Sequence, residues 1–141
     1  MIRHVVLRAL SKLLIPLIML FALYVQFHGD YGPGGGFQAG VIFGAAIILY
    51  TLMVGLEAAK RVFRPRVLEI LVAFGLLLYG GVGIVAILEG GNFLDYGVLL
   101  HDPVHGQHLG ILLVELGVGI TVASVMATIF FLFAGRGRSD V

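Results

Sequence analysis

Residues 37–56 read FQAGVIFGAAIILYTLMVGL, an unbroken run without one charged side chain. A helix of that length is about 30 Å long at about 1.5 Å per residue, which matches the hydrocarbon thickness of a bilayer. Three further apolar stretches flank it. One runs from Leu13 to Phe27 and extends toward Ala9 if Lys12 lies at the interface. Another runs from Val67 to Leu88 with Glu69 near its start, and the last from Leu109 to Ala134 with Glu115 inside. Across the 141 residues, 60% are hydrophobic and 12% are charged. Soluble domains carry about 25% charged residues, so this chain could not cover a water-facing surface. The expected fold is an all-α membrane protein with four transmembrane helices in a single domain over residues 1–141, the spans lying at about 9–27, 37–56, 67–88 and 109–134.

Orientation follows from the basic residues. Arg3, Arg8 and Lys12 precede the first span. Lys60, Arg61, Arg64 and Arg66 fill the link between the second and third. Arg136 and Arg138 follow the fourth, which accounts for all nine Lys and Arg. Short loops rich in Lys and Arg stay in the cytoplasm, so both the N and C termini are expected there. No small-residue cleavage site follows the first apolar run, where Gln26, Phe27 and His28 stand, so it reads as a permanent span and not a signal peptide. The absence of cysteine excludes disulfides, thiolate metal sites and a cysteine nucleophile.

The two outer loops hold no basic residue. The first, His28 to Gly36, contains Asp30 and the run Pro33-Gly34-Gly35-Gly36. The second, Glu89 to Gln107, carries Glu89, Asp95, Asp102, His101 and His105. Asp102 and Pro103 have the chemistry of a helix start, an N-cap followed by a proline whose missing N–H is harmless at the first position. His101, His105 and His108 have helix-like spacing and could hold a divalent metal, although Pro103 interrupts the pattern. No Ser-His-Asp order, HExxH, Walker loop or redox motif is present, so nothing supports an enzyme, and no cofactor or nucleic-acid partner is called for.

Two features carry the functional argument. Three consecutive glycines at the head of span two allow backbone angles closed to other residues. They fit either a broken helix of the kind that marks ion sites in transporters, or a tight outer turn. Further in, Gly36, Gly40 and Gly44 recur every four residues and form a stripe on which a second helix can approach closely. Glu115 is the acid set well inside a span, on a stripe with Gly119, Ala123 and Ala127. It reads either as a protonatable carboxylate on a cation or proton path, or as a hydrogen-bonded structural group. Glu69, one turn from Arg66, and Lys12 read as interfacial anchors.

The segment His28-Gly-Asp-Tyr-Gly-Pro-Gly-Gly-Gly-Phe-Gln-Ala-Gly40 resembles the signature of the MnhB family, small membrane subunits of the Mrp-type (or Mnh-type) multisubunit Na⁺/H⁺ antiporters. The stretch from His105 to Thr121 is similar to the last span of that family. The departures are Asp30, where a histidine is usual, and Ala39, where a glycine is. The resemblance implies a subunit of an antiporter assembled from several different membrane proteins, whose larger members move the ions. The chain would then be a non-catalytic subunit in the cytoplasmic membrane of a prokaryote, among lipids and the other subunits, with Na⁺ and H⁺ as the transported ions. Its close-packing faces on spans two and four would bind neighbours. Its candidate ion-path residues would be Glu115, His28, Asp30 and Gln38, and its outer loops would shape the extracytoplasmic mouth. The competing readings are a small homo-oligomeric proton-coupled exporter using Glu115, and a membrane assembly factor or lipid-modifying enzyme.

Overall fold

A computed structural model of the chain describes residues 5–28, 35–93, 95, 97, 99 and 103–136. The described chain is helical: α1 (Val5–His28), α2 (Gly36–Val54), α3 (Leu56–Val62), α4 (Pro65–Leu88) and α5 (Pro103–Ala134). Four of these, all but α3, are long and apolar enough to cross a membrane. Large apolar side chains point outward on all sides, as hydrocarbon permits and water does not. Leu77 is 73% exposed and Leu132 71%.

The four long helices pack in the lateral order α1, α2, α5, α4, with α5 touching α1 only lightly. Close approach depends on glycine. A Cβ on Gly75 of α4 would stand 2.7 Å from the Gly117 carbonyl oxygen of α5. A Cβ on Gly117 would stand 2.8 Å from the Gly75 carbonyl oxygen, so the two backbones touch reciprocally. On the other side of α5, the stripe Gly36, Gly40 and Gly44 of α2 meets Glu115, Gly119 with Val122, and Met126 in turn. The glycine faces of spans two and four therefore pack on each other within the chain. They are not left open for neighbours as expected, because each supplies the smooth surface that the other needs in order to approach.

The ends of the helices explain the remaining differences from the expected spans. Span two stops at Val54 because Gly55 turns to φ 95°, a conformation open to glycine, while its N–H bonds the Thr51 carbonyl at 2.9 Å. The basic link then forms α3 instead of a plain loop. Glu57 lies in its first turn and Lys60 and Arg61 in its last, which suits the helix dipole. Leu56 and Ala59 are buried with Ile47, Leu68, Ala127 and Phe131, and the rings of Tyr50 and Phe63 meet edge-on at 5.8 Å. Pro65 then opens α4 at a position where its missing N–H does no harm. Helix α5 starts at Pro103, where the Asp102–Pro103 start signal places it, so its 32 residues extend about 48 Å and begin ahead of the apolar run at Leu109.

Candidate functional site

The site forms where the N-terminus of α2 meets the middle of α5. Gly35 precedes α2 at φ 144°, ψ −176°, and supplies no side chain to cap it. The first helical bond runs from the Ala39 N–H to the Gly35 carbonyl at 3.0 Å, so the preceding N–H groups need partners from elsewhere. Glu115 of α5 stands at this end. Its Oε1 lies 3.2 Å from the point a Gly35 Cβ would occupy, and Gln38 Oε1 lies 3.3 Å from the same point. The next glycine brings backbone to backbone, since a Cβ on Gly36 would fall onto the Glu115 carbonyl oxygen. A carboxyl group here faces the positive end of the α2 dipole.

Glu115 lies level with the first residue of the 19-residue α2, with three turns of α5, from Pro103 to Val114, ahead of it.

A third polar group enters from α1. Gln26 is only 4% exposed, and its Oε1 stands 2.6 Å from where a Gly119 Cβ would be, with the Gly36 carbonyl oxygen 3.2 Å from the same point. Three helices thus meet at the level of Gly36, which admits them because Gly36 and Gly119 carry no side chains. Gln26 gives no signal in the sequence, where it is a lone polar residue in the run from Leu13 to Phe27. Gly75 and Gly117 give none either, since a single glycine in an apolar helix has many uses.

The other candidates lie apart or outside the described residues. His28 ends α1 and stacks on Tyr24, with ring centroids 5.1 Å apart. Gly40 and Gly44 continue the packing stripe one and two turns below the site. Asp30, Pro33 and Gly34 lie outside the described residues, as do His101 and Asp102 of the histidine-rich loop. His105 and His108 are exposed on the first turns of α5. Among the described residues no three His, Asp or Glu side chains gather as a metal site would require.

Comparison with known proteins gives one answer across nearly the whole chain. Residues 6–128 match the family described as a domain related to the MnhB subunit of Na⁺/H⁺ antiporter. Proteins of Staphylococcus aureus strains Newman and JH1, provisionally named antiporter subunit mnhB2, are each 36% identical over 138 residues, which covers 96% of both chains.

Proposed function

The chain belongs to the family related to the MnhB subunit of Na⁺/H⁺ antiporters, and from that premise we propose how it serves as a multi-pass membrane subunit of such an antiporter. It acts as a non-catalytic member that packs against larger ion-translocating subunits and shapes the mouth on the basic-poor side of the membrane. Both termini lie in the cytoplasm, by the Lys/Arg asymmetry, and the membrane is the plasma membrane of a prokaryote. The observation that carries this reading is the poverty of the spans in titratable groups. Glu115 faces the glycine turn with no basic side chain in the middle of a span to relay with it, whereas Lys12 and Glu69 stand toward the opposite, basic-rich end. One carboxylate held at a helix terminus is too little for a self-sufficient proton-coupled exchanger, but it suits a fixed wall of a mouth completed by other subunits. With the glycine stripes engaged inside the chain, the outward face of α1, where Leu17 and Phe21 are exposed, is available to meet neighbours.

Purification of the tagged chain from native membranes in mild detergent tests the proposal. Larger membrane subunits should accompany it in fixed proportion, and vesicles from cells lacking the chain should lose Na⁺/H⁺ exchange until it is restored. Exchange by the chain alone in liposomes would overturn the subunit reading in favour of the small exporter.

A further inference from the structure

A cavity of about 300 Å³ opens beside α5 where α1 and α4 do not close on each other. Ala22 and Gln26 of α1, Phe43 of α2, Leu68 of α4, and Leu116 and Ile120 of α5 are on its wall. The lining is almost wholly apolar, and Gln26 is its main polar feature. That side chain is 96% removed from solvent (4% exposed), and its Nε2 has no hydrogen-bond partner among the described residues. Buried amide N–H groups in folded proteins are nearly always paired, so an acceptor is owed at this spot.

Depth and size together indicate what supplies it. Gln26 lies in the last turn of α1 and meets Gly119 beside Gly36 at the first turn of α2, where two apolar spans end together. That is the level of the ester carbonyls of a phospholipid, which accept hydrogen bonds and donate none. Below it the wall is apolar as far as Leu68 apart from Ser124. An open apolar groove of this size admits a single methylene chain.

We propose that this groove holds one acyl chain of a membrane phospholipid, whose ester carbonyl accepts a hydrogen bond from Gln26 Nε2 while the methylenes run past Phe43 and Ile120 toward Leu68. The lipid then acts as a filler between α1 and α4.

The test uses native membranes containing the tagged chain, supplied with a phosphatidylethanolamine that carries a diazirine midway along one acyl chain. After illumination, adducts are mapped by peptide mass spectrometry. Adducts should concentrate on Phe43, Leu116 and Ile120 relative to Leu76 and Leu77, which face the bulk bilayer. Gln26→Leu should lower the groove adducts about five-fold, the loss expected for one hydrogen bond, and leave those at Leu77 unchanged. Ile120→Phe, which fills the groove, should abolish them, and it carries the test if Gln26→Leu does not accumulate. Groove labelling no denser than at Leu77, or undiminished by both variants, would overturn the proposal. So would an unlabelled groove beside a labelled Leu77, since a side chain of another protein would then occupy it. The reading does not depend on the antiporter assignment, because labelling is scored whether or not other subunits accompany the chain.

Discussion

Replacing Gly36 by alanine is the sharpest test of how the site is built. A Cβ there would fall onto the Glu115 carbonyl oxygen, with the carbonyl carbon 2.8 Å and Cα 3.0 Å away. All three atoms are backbone, so no side-chain rotation relieves the clash. Carbon contacts settle at about 3.5–4.0 Å, so α2 and α5 must part by about 1 Å at their upper crossing. Overpacking of this kind costs about 1–3 kcal/mol, and the gain in helix propensity is at most about 1 kcal/mol. The same substitution elsewhere provides graded controls. At Gly40 the new atom would meet Val122 Cβ at 2.7 Å and the Gly119 oxygen at 2.8 Å, a second severe clash. At Gly44 it would meet only the Met126 side chain, its Cβ at 3.2 Å and Sδ at 3.3 Å, a milder contact that a small shift relieves. At Gly80 it would meet nothing within 4 Å. Thermal unfolding in detergent, together with the amount of assembled complex in membranes, should therefore rank Gly36→Ala and Gly40→Ala well below Gly44→Ala, with Gly80→Ala near the parent. A Gly36→Ala protein as stable and as well assembled as Gly80→Ala would refute the close approach of α2 to α5.

Glu115→Gln should preserve assembly, since the amide oxygen can still face the end of α2, at a loss of about 1 kcal/mol of charge–dipole interaction. Glu115→Ala should reduce assembly by more because it leaves that end without an acceptor. Exchange measured per assembled complex then decides the ion role, and unchanged exchange in the Gln variant removes Glu115 from the path. Gly55→Ala and Gly55→Asn should each destabilise by about 1–3 kcal/mol through backbone strain at φ 95°, ψ 158°, with open space around the residue; an unfolding midpoint for Gly55→Ala equal to the parent's would contradict the strained turn. Cysteines placed at Asp95 and Arg64 should label from opposite sides of the membrane, the former from outside. Labelling of both from one side would end the proposed topology.

The spans were legible because hydrocarbon imposes one requirement on every lipid-facing position, and a run such as 37–56 meets it without help from the rest of the chain. The short helix α3 was not, because its amphipathic turn becomes visible only when Leu56 and Ala59 have Ile47 and Phe131 to pack on. In isolation Lys60 and Arg61 look like any basic loop, and seven residues are too few to hold a helix without tertiary contacts. The start of α5 was half legible. Pro103 signalled it, but hydropathy rises only at Leu109, and the polar turns between them have no periodic signal of burial.

The glycine turn and the acid could be read separately but not as partners, since nothing along the chain links residue 36 to residue 115. The structure joins them, and the connection is physical. An acid in a span costs at least about 2.5 kcal/mol on insertion scales when nothing compensates it. Compensation is available at a helix N-terminus, but only if the backbone can come within reach of the carboxylate. A Cβ at Gly35 would stand 3.2 Å from Glu115 Oε1, and one at Gly36 would collide with the main chain of α5. The glycines thus do more than bend the chain: they let α2 bring the end of its dipole to an acid that α5 carries. On this account Glu115 and the Gly35–Gly36 pair form one device. A larger side chain at either glycine should then disturb Glu115 as much as substitution of Glu115 disturbs the start of α2. A double-mutant cycle between Gly35→Ala and Glu115→Gln, read in unfolding midpoints, should show coupling well above the few tenths of a kcal/mol seen for independent sites. Additive effects would leave the turn and the acid as neighbours without a shared role.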